Sequence, residues 1–182
     1  MANIDARDPL RLLAAKFSLH LVDSWEVPPV ADELLTNGIY SSALAELATQ
    51  RKPSWSDVVP LLENAMAELQ MPFPSKAEAA WMLARHCILR IAHEAGSPFE
   101  TLSLLQKVSS AAWDVLPDKA YVGENLDLKG LIGIYWSYTE PTENYYEPEK
   151  RYIHNESERC AILDRLAREE SHLWLARHTS SP

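Results

Sequence analysis

The chain reads as an all-α protein, a single-domain bundle or short solenoid of helix pairs with seven to eight helices. Three observations predict it. Apolar residues recur at helical spacing along most of the chain. Pro, Ser and Asn-Gly punctuate these runs where helices start and stop. Only five glycines occur in 182 residues, so hairpin turns and phosphate-cradling loops have little raw material.

The best-punctuated segment runs from Ser75 to Gly96 and predicts a central helix over 76–95. Ser75 followed by Glu78 is a capping box, and Gly96 can turn left-handed after the last turn. Ala77, Ala80, Trp81, Ala84, Ile88, Ile91 and Ala95 form one stripe, with Met82 and Leu89 opposite, so this helix should have neighbours on two sides.

Ahead of it, Asp8-Pro9 opens a first helix carrying Leu10, Leu13, Ala14, Phe17 and Leu21 to about Ser24. Pro28-Pro29 breaks it, and a short helix follows to Thr36, stopped by Asn37-Gly38. Ser41 or Ser42 caps a third helix through Leu44, Leu47 and Ala48. Ser56 reads as the cap of a fourth, with Pro60 in its first turn and Val58, Leu62, Met66 and Leu69 inward.

Beyond Gly96, Ser97-Pro98 restarts a helix through Leu102, Leu105 and Val108, with room to continue to Leu116 before Pro117 closes it. The stretch 126–138 has strand-like composition, yet Leu128, Leu131, Ile132 and Tyr135 fit a helical stripe capped by Asn125. Helix is the better reading, because nothing else offers a strand a partner. A last helix from about Asn155 to Arg177 turns Cys160, Leu163, Leu166, Ala167, Leu173 and Trp174 inward.

The net charge is −9, with a pI near 5.1, which disfavours a nucleic-acid duplex or an anionic membrane. It suits either plain solubility or attraction of a basic protein. With no basic region leading an apolar run and no apolar stretch near membrane-spanning length, a cytoplasmic location is expected. Cys87 and Cys160 sit among apolar neighbours and read as buried reduced thiols.

No motif for catalysis, a cofactor or a metal stands out. His86 and His93 share a helix face but lie two turns apart, about 10.5 Å of rise, too far to ligate one ion together. A metal-dependent enzyme would need carboxylates from neighbouring helices to join them. Trp25, Trp55 and Trp113 either finish the core or serve an interface in a homo-oligomeric subunit.

Five of the seven tyrosines fall between Tyr135 and Tyr152, interleaved with glutamates and held out of helix by Pro141 and Pro148. Either the rings pack over helix ends, or the 138–152 loop grips a basic partner. In the second case the binding residues are Tyr138, Glu140, Glu143, Tyr145, Tyr146 and Glu147.

The run Val27-Pro-Pro-Val-Ala-Asp-Glu-Leu-Leu35 and Gly38-Ile-Tyr-Ser-Ser-Ala-Leu-Ala-Glu-Leu-Ala48 resembles a pattern in small all-helical bacterial proteins of unknown function. Met66-Ala-Glu-Leu69 and Pro72-Phe-Pro-Ser-Lys-Ala-Glu-Ala79 extend it, within residues 27–95. Such proteins are similar in size and charge to cytoplasmic immunity proteins that neutralise toxins. The resemblance implies no active-site residues to carry over. The acidic charge, the lack of a catalytic or cofactor motif and the Tyr/Glu segment together make a non-enzymatic protein-binding role without a cofactor, an immunity-type protein that occludes a basic toxin domain, the leading expectation.

Overall fold

The computed structural model describes residues 7–116, 122–140 and 155–178. The fold is all-α. Eight α-helices and two 3-10 turns make up the described residues, with no strand among them. The chain divides into two compact units, up to Ala79 and from Ala80 on.

In the first unit, α1 is Asp8–Ser18, α2 Val27–Thr36, α3 Ser42–Thr49 and α4 Trp55–Glu68. Successive helices pack on one another. Leu10, Leu34, Leu44, Leu47, Leu62 and Met66 are fully buried among them. Ser41 caps α3, its Oγ accepting from the Leu44 N–H at 3.1 Å. The Glu68 carboxylate, at the end of α4, takes the Ser42 hydroxyl at 2.7 Å beside the start of α3. That bond holds the Glu68 carboxyl below its ordinary range.

Several boundaries in this unit differ from the sequence reading: Arg7, not Asp8, stands at the N-cap of α1, and α2 begins at Val27, so Pro28-Pro29 lie in its first turn instead of breaking the first helix. The first helix ends at Ser18 instead of Ser24, and Ser24–Glu26 is a separate 3-10 turn opened by Asp23, whose N–H donates to Glu26 at 2.9 Å. The α4 cap is Ser54 paired with Asp57, so Pro60 stands inside the helix, beyond the first turn. The missing proline N–H leaves the Ser56 carbonyl without its helical donor.

The division between the units falls inside α5, Lys76–Ala92. The Ser75–Glu78 capping box is present, with the Ser75 N–H donating to Glu78 at 2.9 Å and the Glu78 N–H to Ser75 Oγ at 3.3 Å. From Ala80 on, the buried side is Leu83, Ala84, Cys87, Ile88, Ile91 and Ala92. Trp81 and Ala95, expected on the buried stripe, are exposed, and Met82 and Leu89 are half-buried.

The helix also stops early. The Ala95 N–H bonds to the Arg90 carbonyl at 2.8 Å and the Glu94 N–H to the Ile91 carbonyl at 3.1 Å, a Schellman motif whose left-handed residue is Glu94, φ +56°. Gly96, expected in that role, lies two residues beyond it.

The second unit continues with α6 (Pro98–Ala111), α7 (Lys129–Thr139) and α8 (Glu156–His178). These three pack on one another. Ser97 caps α6 through the Glu100 N–H, and Asn155 caps α8 through the Ser157 N–H at 2.9 Å. Helix α6 ends before Trp113, and Pro117 lies outside the described residues.

Helix is the outcome for the ambiguous stretch, but Asn125 is not its cap. Asn125 is buried in a 3-10 turn (Glu124–Leu126) and accepts the Ser109 hydroxyl at 2.7 Å while donating to the Ser109 carbonyl at 2.9 Å. Gly123 completes this knot by donating its N–H to Ser109 Oγ at 2.8 Å. Its φ of +95°, with Ile132 Cγ1 lying 2.8 Å from where a Cβ would stand, admits only glycine there.

Candidate functional site

The end of α7 is where the tyrosine-rich stretch begins, and its backbone is tied down by a buried arginine. Arg159, 3% exposed on α8, donates from Nη1 to the carbonyls of Ser137 at 2.7 Å and Glu140 at 2.9 Å, and from Nη2 to that of Tyr138 at 3.3 Å. Its Nε and Nη2 also grip Glu156 at 3.1 and 2.5 Å. A planar guanidinium thereby answers the carbonyls that the last turn of α7 leaves unpaired.

Tyr138, expected to face a partner, turns inward instead. Its hydroxyl donates to Asp164 Oδ1 at 2.5 Å, and its ring packs against Ile162 and Leu163. Burial, reinforced by the Asp164 carboxylate, pushes its phenol well above the ordinary range. Helical geometry explains the turn, because Tyr138 lies seven residues from buried Leu131 and so falls on the same face.

Glu140 is exposed at the C-cap of α7, and only its backbone carbonyl is engaged in the Arg159 clamp. Glu143, Tyr145, Tyr146 and Glu147 lie outside the described residues.

A row of rings lies at the surface here, exposed Phe99 and Trp136 bridged by half-buried Tyr135, and of these Phe99 drew no attention in the sequence. Phe99, in the first turn of α6, stacks on Tyr135 of α7 with centroids 5.9 Å apart and planes 16° apart. Phe99 also meets Tyr138 at 5.4 Å, and Tyr135 meets Trp136 edge-on at 5.2 Å. Trp136 is 51% exposed and Phe99 41%. Exposed Glu100 follows Phe99 in sequence, and Glu140 lies one turn after Trp136. Phe99 directly follows the Ser97-Pro98 helix start, a signal that placed the turn but not its outward ring.

Cys160 is half-buried, not buried, and its thiol titrates above the ordinary range because of burial and the neighbouring Glu156 carboxylate. Cys87 is buried and free. His86 is half-buried and His93 exposed. Among the described residues, no three His, Cys, Asp or Glu side chains gather in an arrangement that could hold a metal ion. Trp25, Trp55 and Trp113 are all exposed, with the Trp55 ring tilted against Phe17 at 5.9 Å.

Among the described residues, no helix is long and apolar enough to cross a membrane. Compared with protein-family models, curated proteins and solved structures, the chain has no match in any of the three.

Proposed function

We propose that this chain is a non-enzymatic protein-binding module, an acidic immunity-type protein that covers and neutralises a basic toxin domain. The observation that carries the reading is the row of exposed Phe99 and Trp136 bridged by half-buried Tyr135, with exposed Glu100 and Glu140 close by in sequence. Large rigid rings provide contact area at low entropic cost, and tryptophan faces with carboxylates nearby suit arginine and lysine side chains. The net charge of −9 adds long-range attraction of a cationic partner. Glu143, Tyr145, Tyr146 and Glu147, which follow in sequence, extend the same chemistry.

The test is side-by-side affinity capture with wild type and a Phe99→Ala/Trp136→Ala double variant, followed by an assay of what is captured. A basic protein retained at fixed stoichiometry by wild type, lost at least tenfold by the variant and toxic when freed, is the expected result. Equal retention by both chains would remove this surface from the account. A captured protein whose activity is unaffected by the complex would remove the neutralising role.

A further inference from the structure

A second feature of the unit from Ala80 on lies away from the α7 end. Trp174 is 2% exposed and forms a floor, its indole N–H donating to the Leu126 carbonyl at 3.0 Å. His178, one turn on, stacks over it with centroids 4.1 Å apart and planes 19° apart. Trp81 of α5 closes the group, 6.2 Å from Trp174 and 5.7 Å from His178, and keeps 38% of its surface exposed.

These rings, with Met82 and Arg85, line a cleft of about 400 Å³. That lies within the range of small-molecule sites, which are mostly apolar walls with few polar groups.

The polar groups around the rings are already engaged. The Trp174 carbonyl can only accept, so His178 Nδ1 carries the proton of their 2.8 Å bond. Asp127, 3.9 Å from His178 Nε2, is answered by Arg177 at 3.0 Å. Arg85 differs. Four residues after Trp81 on the same face of α5, it has no hydrogen bond or ion pair among the described residues. What sets Arg85 apart is its place, an exposed guanidinium at the edge of a cleft walled by aromatic rings.

We propose that this cleft binds a small planar aromatic anion, its ring against Trp81 and His178 and its carboxylate or phosphate paired with Arg85. Stacking selects for a flat ring and the guanidinium fork selects for the oxyanion. The site is independent of the partner-binding surface.

Six tryptophans yield six indole N–H signals in a nitrogen–proton correlation spectrum, and Trp81→Phe identifies one of them. The probes are indole-3-acetate, phenyl phosphate and tryptamine. At least one anion should shift the Trp81 signal saturably, with tryptamine weaker by about tenfold or more, as expected for losing a charge-assisted pair. Exposed Arg85→Gln should abolish that preference without unfolding the chain. A Trp81 signal unmoved by both anions at millimolar concentration, tryptamine binding as tightly, or an unchanged preference in Arg85→Gln would each overturn the proposal.

Discussion

Arg159 sits in a run of charged residues, Glu156 to Arg159, that sequence patterning assigns to a solvated helix start, yet it is the most deeply buried charge described. Its environment is set by carbonyls 19 to 22 residues away on α7, which no local pattern reveals. Removing it leaves several carbonyls short of a donor, each worth roughly 1–3 kcal/mol when buried, so Arg159→Ala should destabilise the protein by about 3 kcal/mol. Arg159→Lys should recover only part of this, because an ammonium lacks the fork. Chemical denaturation of the three proteins measures the ranking, and equal stability of Ala and wild type would refute the clamp. Asn125 illustrates the same limit: a cap by its position, it is a buried partner of Ser109 by its contacts.

At the scale of elements, starts with a capping side chain were legible where Ser41, Ser75, Ser97 and Asn155 stand but not at α4 or α7, and the ends of α2 and α8 were read closely while those of α1 and α5 were not. Ser41, Ser75, Ser97 and Asn155 act as caps through their own side chains, a property of residue type that shows in sequence. The ends of α1, α2, α4 and α5 are Schellman motifs with His20, Gly38, Gln70 and Glu94 in the left-handed position. Only one of these four is glycine, so the usual stop signal was absent from three.

A non-glycine residue held left-handed costs about 1 kcal/mol. Gln70, φ +54°, follows α4 with the Met71 N–H bonded to the Met66 carbonyl at 2.9 Å. Gln70→Gly should therefore raise stability, by about 1 kcal/mol less the extra entropy glycine gives the unfolded chain. Thermal melting checks this; a lower melting temperature would show that the glutamine side chain contributes contacts outweighing its strain. The capping boxes add a pH dependence of known sign. Asp57 and Glu78 have lowered carboxyl pKa values through their bonds to Ser54 and Ser75. Their contribution is therefore complete above the range where free carboxyls titrate and fades as the pH falls through the lowered values.

For the whole molecule, the all-α class followed from periodicity and from the scarcity of glycine. The division at Ala79 and Ala80 did not, because it falls within a continuous helix with no linker composition to mark it. The surface row was half legible. Clustering of tyrosine drew attention to the end of α7, but the direction of each ring depends on which side of α7 is buried. That side took Tyr138 inward to Asp164 and left Trp136 and Phe99 outside. The cleft at Trp81, Arg85 and His178 was invisible, since its residues are separated by about half the chain.

The central claim is that the outer face built by the start of α6 and the end of α7 meets the partner. Hydrogen exchange measured on the chain alone and in complex with the captured protein tests it most directly. New protection at 98–103 and 134–140, with the unit before Ala79 unchanged, is the expected result. Protection confined to residues before Ala79, or none at the α7 end, would contradict it.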